Sequence, residues 1–232
     1  MPGFRYPGSV DRDELVLIAQ TLGAGVPSLV GQIQVDFAGY VRDPKVKVEP
    51  RPMIDHGPMA HVNGIIVHQT GGATARSALD SYLVAGANGA HFLIDKDGTI
   101  YQTASVFRVT HHVGYLKPRC RVEMNCTPAE TRALAGKRVG REIGRVEAAK
   151  AWPARFPGNS DAIGIELVGA VSPKPGGGAN EFVYEPVTPR QQQSFNWLLA
   201  RLLEHFHVNA SEVFRHPDVS WKQPSEAASV RW

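Results

Sequence analysis

Asn63-Gly64-Ile65-Ile66-Val67-His68-Gln69-Thr70-Gly71-Gly72 decides the fold of this chain. Ile65, Ile66 and Val67 are β-branched and apolar in succession, which predicts a strand buried on both faces. Gly71-Gly72 ends the run, and His68 falls at its carboxyl end, where scaffolds project reactive groups. Ala162-Ile163-Gly164-Ile165-Glu166-Leu167-Val168 is a second run of this kind, but it carries a glutamate. A period of two puts Ile165 and Leu167 on one face and Gly164, Glu166 and Val168 on the other. Glutamate is rarely buried without a partner. Glu166 therefore either meets solvent or is held in a cleft as a base.

Between the two strands, Thr74 predicts the cap of a helix through Ala78, Leu79, Tyr82 and Leu83, stopping near Gly86. His91–Ile94 and Thr99–Gln102 flank Asp95-Lys96-Asp97-Gly98, a hairpin signal. Residues 115–160 are rich in charge, Pro and Gly, with one helical stretch near Pro128–Leu134, and read as an insertion over one face. Thr188-Pro189-Arg190-Gln191 opens the best helix, with Phe195, Leu198, Leu199, Leu202 and Phe206 on one side. Strand, helix, hairpin, insertion, strand, helix implies an α/β fold: a single mixed β-sheet flanked by helices, over residues 61–232. Residues 1–60 read as an N-terminal extension and connector. They include a helix starting at Asp11 or Asp13, a strand over 32–37, and a Pro/Gly-marked link at 50–60.

The 232 residues are 43% hydrophobic and 20% charged, which leaves enough apolar side chain for a core and excludes a disordered or fibrous chain. A formal net charge of +3, read as evenly spread, argues against nucleic acid. No run approaches the ~20 apolar residues of a membrane span, and no cationic start with an apolar stretch marks a signal peptide. Cys120 and Cys126 suit either a local disulfide or two free thiols.

Phe214 to Glu226 packs a histidine, a lysine and acidic groups into a Pro-rich loop, which could equally be a polar surface tail. Taken with His68-Gln69-Thr70, Ala90–Gln102, His112-Val113-Gly114 and Ile163-Gly164-Ile165-Glu166, however, it completes a series. These blocks, in this order from about Asn63 to Glu226, resemble the zinc N-acetylmuramoyl-L-alanine amidases, the superfamily shared with peptidoglycan recognition proteins. The resemblance implies zinc ligands at His68 and His216, a base at Glu166, a catalytic lysine at Lys222 and substrate contact at His112. It also implies hydrolysis of the bond between N-acetylmuramic acid and L-alanine. Relatives usually place Asp or Cys two residues after the lysine; here that position is Pro224, so the expected third zinc ligand is Glu226, with Asp218 as its competitor. Without a third ligand, the alternative is a non-catalytic peptidoglycan- or muropeptide-binding module. The N-terminal layer and the Cys120/Cys126 insertion exceed a minimal recycling enzyme. They favour an antibacterial effector that reaches the periplasm through a secretion apparatus, without a cleavable signal, and is restrained by a cognate inhibitor. A phage-type lysin and a cytoplasmic enzyme are the alternatives.

Overall fold

The computed structural model describes Ile33–Trp232, so the helix expected after Asp11 or Asp13 lies outside the described residues. Seven strands form one mixed sheet: β1 (Val46–Val48), β2 (Gly64–Gly71), β3 (Phe92–Ile94), β4 (Ile100–Gln102), β5 (Ala162–Pro173), β6 (Phe182–Tyr184) and β7 (Val213–Arg215). Their order is β1-β4-β3-β5-β2-β7, with β6 paired to the far end of β5. The neighbours β3, β5, β2 and β7 run parallel, with β7 at the edge. β3 and β4 form the expected antiparallel hairpin, and Gly98 takes φ +87° in its turn.

Among the described residues, six α-helices accompany the sheet: α1 (Ala75–Ser81), α2 (Arg119–Val122), α3 (Pro128–Leu134), α4 (Arg141–Ala148), α5 (Pro189–Phe206) and α6 (His216–Val219). Thr74 caps α1, and Thr188 with Gln191 completes a capping box on α5. One sheet face, with Ile65, Val67, Ile163, Ile165 and Leu167, packs against Phe195, Leu198, Leu199 and Leu202 of α5. On the other face, Ile66 and Ala162 meet Val113, Leu116, Phe156 and Val219. Leu93 and Val168 meet Ala75 and Leu79 of α1. The second face is thus covered from two sides, and a cleft lies between the two covers.

Three expectations change. The strand read over 32–37 is only an isolated bridge, Val35 to Val41. Asp36 explains this: its carboxylate accepts from the amides of Ala38 and Tyr40, a local turn that competes with strand pairing. Val46–Val48, read as part of a separate N-terminal layer, is the edge strand of the main sheet, parallel to β4. The insertion holds three helices rather than one. It is closed by a Cys120–Cys126 disulfide over a small core of Leu134 and Ile143. Among the described residues, no helix is long and apolar enough to cross a membrane.

Candidate metal centre and catalytic cleft

Register builds the floor of the cleft. His68 pairs with Glu166 across β2 and β5, so both project to the Ile66 side of the sheet. Val67 pairs with Arg215 across β2 and β7, which puts the next residue, His216, beside His68. Three adjacent parallel strands therefore set Glu166 and His68 side by side within β5 and β2, with His216 just past the end of β7.

Glu226 arrives from the tail. Pro224 begins a turn closed by a 3.0 Å hydrogen bond from the Glu226 amide to the Gln223 carbonyl. Ser225 donates to the Phe182 carbonyl. The Gln69 carboxamide accepts from the Ala227 amide at 3.0 Å, and Arg215 donates to the carbonyls of Ala227 and Val230 at 3.0 and 2.7 Å. Together these fold the carboxylate back onto the histidines. His216 Nδ1 lies 2.9 Å from Glu226 Oε1 and 2.9 Å from His68 Nδ1, and His68 Nδ1 lies 3.6 Å from the same oxygen. All three side chains are buried, and their donor atoms lie within 4.8 Å of one another.

The donor set fits a metal ion. Nδ1 of each histidine faces Glu226, while the other ring nitrogen is occupied: Nε2 of His216 by the Val113 carbonyl at 2.8 Å, and Nε2 of His68 by His112 at 2.9 Å. Burial first, then the neighbouring His216, pulls the His68 pKa down to about 4, which keeps its imidazole neutral. Burial works against ionised Glu226, but the close His216 and His68 rings outweigh it and hold the carboxyl at about 2. Two imidazoles and a carboxylate are a known catalytic zinc set. Asp218, the competitor, is exposed and spends its carboxylate on the Arg215 amide at the start of α6.

The other expected residues line the same cavity of about 310 Å³. Glu166 Oε2 accepts from the Tyr82 hydroxyl. Burial raises the Glu166 pKa, with the Tyr82 hydrogen bond pulling the other way. Lys222 is exposed at the rim. His112 is present too, but both its ring nitrogens are engaged within the protein, by His68 and by the Ala162 carbonyl. The sequence reading missed Tyr82, which it took for an apolar position of the helix after Thr74 and which stands at the carboxyl cap of α1, and Gln69 and Arg215, which strap the tail. A hydroxyl on an otherwise apolar helix face was the available signal for Tyr82; for the straps there was none, because they bind backbone carbonyls and amides far along the chain.

With the fold and cleft in view, the class is an amidase-like α/β fold built on a single mixed sheet. The family model for N-acetylmuramoyl-L-alanine amidase, Amidase_2, matches residues 58–227, and the chain belongs to that family. No curated protein matches it. Among solved structures it is similar to a selenomethionine derivative of AmpD at 17% identity and TM-score 0.50, over 83% of this chain and 94% of that one. It is also similar to the endolysin amidase LysCS from Clostridium intestinale URNW at 20% identity and TM-score 0.44, over 78% of this chain and 86% of that one. AmpD bears out the fold.

Proposed function

We propose that this chain is a zinc-dependent N-acetylmuramoyl-L-alanine amidase that hydrolyses the amide joining N-acetylmuramic acid to the L-alanine of peptidoglycan stem peptides. The observation that carries the reading is the convergence of His68 Nδ1, His216 Nδ1 and Glu226 Oε1 in the cleft that also holds Glu166. A zinc ion held by these three would supply Lewis acidity to the scissile carbonyl and bring the attacking water towards a pKa of about 7.

The chain's own groups do the rest. Glu166 takes the proton of the attacking water on Oε1, the oxygen that Tyr82 leaves free. Water oxygen adds to the lactyl carbonyl carbon. Lys222 offsets the negative charge that develops on the carbonyl oxygen. The C–N bond then breaks, and Glu166 returns its proton to the departing amino group of L-alanine. Tyr82 keeps the carboxylate aimed throughout. The raised pKa of Glu166 suits this double duty, since a stronger base also gives up its proton closer to neutral pH.

The biological setting we propose is an antibacterial effector acting on the periplasmic cell wall, delivered by a secretion apparatus and restrained by a cognate inhibitor. Support comes from the residues preceding the family match, which begins at residue 58, and from a disulfide that suits an oxidising compartment. The test is to incubate the protein with soluble muropeptides and with intact sacculi, with and without a chelator, and to weigh the products. Free stem peptide released only without chelator is expected. Binding without any cleavage would instead favour a recognition module.

A further inference from the structure

Two consecutive residues, His112 and Val113, each hold one histidine of the cluster. His68 Nε2 lies 2.9 Å from His112 Nδ1, and His112 Nε2 lies 3.2 Å from the Ala162 carbonyl oxygen. A carbonyl only accepts, so a neutral His112 carries its proton on Nε2 and offers Nδ1 as an acceptor. His68 must then donate from Nε2, which leaves its Nδ1 as a lone pair facing His216 and Glu226. The next residue does the same for His216 through its backbone, the Val113 carbonyl accepting from Nε2 at 2.8 Å.

The placement of this pair is itself determined by the fold. The Asn159 side-chain oxygen accepts from the amides of both His112 and Val113, at 2.9 and 2.8 Å. Gly164 leaves the space in which the His112 ring sits: a Cβ there would come within 2.9 Å of His112 Nδ1 and 3.0 Å of its Cγ. The glycine two residues before Glu166 thus makes room for the group that aims His68.

We infer that His112 is a positioning residue that locks His68 in the tautomer presenting Nδ1 to the metal, rather than a contact for substrate. The inference rests on the reading of the cluster as a metal site. Outer hydrogen-bond partners of metal-binding histidines typically contribute 10–100-fold in metal affinity.

The test is the tautomer of His68 in metal-free full-length protein, read from two-bond proton–nitrogen couplings in ¹⁵N-labelled samples, together with zinc affinity by chelator competition. In the wild type, His68 should be protonated on Nε2. His112→Phe removes the acceptor, and Gly164→Ala displaces it while leaving His112 in the chain. Both should let His68 populate the Nδ1-protonated form and weaken zinc binding about 10–100-fold, while His216 keeps its Nε2 proton on the Val113 carbonyl. His112→Asn sets an amide oxygen where Nδ1 stood and should restore much of both signals. A general loss of structure would disturb both histidines alike, and His112→Asn would rescue nothing. An unchanged His68 tautomer in both disrupting variants, or an Nδ1-protonated His68 in the wild type, would overturn the inference. Because the tautomer is read without metal, the expected pattern in a protein that binds no zinc would contradict the amidase reading and leave the role of His112 intact.

Discussion

On the floor of the cleft, Glu166 and His68 are paired across two parallel strands and His216 follows directly on a third, so backbone register places all three. Over residues 115–160 there is no sheet at all, only three short helices around the Cys120–Cys126 disulfide. The insertion is tied down by paired charges, among them Arg119–Glu212 at 2.7 Å, Lys150–Glu147 at 2.8 Å and Arg155–Asp161 at 3.0 Å. The regions also differ in net charge. Residues 115–160 hold ten Lys and Arg against four Asp and Glu, a net +6, and the rest of the chain fifteen against eighteen, a net −3. The positive charge is therefore concentrated in the insertion and not, as the composition alone suggested, evenly spread. Chemistry placed by register cannot shift without unpairing strands, whereas an insertion held by ion pairs and one disulfide can change and leave the floor in place.

The largest expected effect falls on the floor. Glu166→Gln should keep zinc and fold, since Gln still accepts from Tyr82, yet lose ~10²–10⁴-fold in rate, measured as kcat on a soluble muropeptide. The wild-type rate should fall as pH drops through the Glu166 pKa, which burial sets above the ordinary carboxylate range, and Glu166→Gln should lack that limb. The sign for stability is opposite. A carboxyl whose pKa rises on folding favours the folded state below its unfolded pKa and loses that advantage as pH rises through the folded value. Glu166→Gln should thus raise the melting temperature at pH 7 relative to its effect at pH 4. A variant with near-normal rate would make Glu166 an ordinary strand residue.

Loosening the tail that returns Glu226 comes next. Arg215→Ala removes the hydrogen bonds to the Ala227 and Val230 carbonyls and should weaken zinc binding about tenfold or more, within the range of outer-shell supports. Unchanged affinity would show that Gln69 suffices to hold the tail. Breaking the disulfide should act on the insertion alone. A loop this short contributes about 2 kcal/mol on the chain-entropy account, so reduction should speed amide exchange over 115–150 with zinc content unchanged. Loss of zinc on reduction would erase the distinction between the two regions. Smallest of all, charge reversal at exposed Arg132 or Arg141 should move stability by no more than about 0.5 kcal/mol and leave turnover of a soluble muropeptide as it was.

The sequence exposed what obeys a period. The strands Gly64–Gly71 and Ala162–Pro173 and the capped helix at 189–206 were readable because each is long enough to show its apolar pattern, and His68 and Glu166 stood out as polar breaks in such runs. The strands at 46–48, 182–184 and 213–215 span three residues each, too few for any period to appear, and they exist because longer strands offer them an edge. Helix α4 is preceded by Gly140, which offers no side-chain cap, so the usual start signal is missing. Glu226 could be singled out by its spacing from His216, but what brings it back, the Gln69 and Arg215 contacts, joins residues far apart in sequence. The Val113 carbonyl is invisible in principle, because a backbone acceptor has no residue type.

Metal content by elemental analysis of the purified chain and of two carboxylate variants tests the central claim most directly. The wild type should carry close to one zinc per chain. Glu226→Ala should lose most of it along with all cleavage of muropeptide, because His68 and His216 alone hold zinc weakly. Asp218→Ala should keep both zinc and activity, because its carboxylate faces the Arg215 amide and not the cluster. Full zinc in Glu226→Ala, or its loss in Asp218→Ala, would contradict the site described.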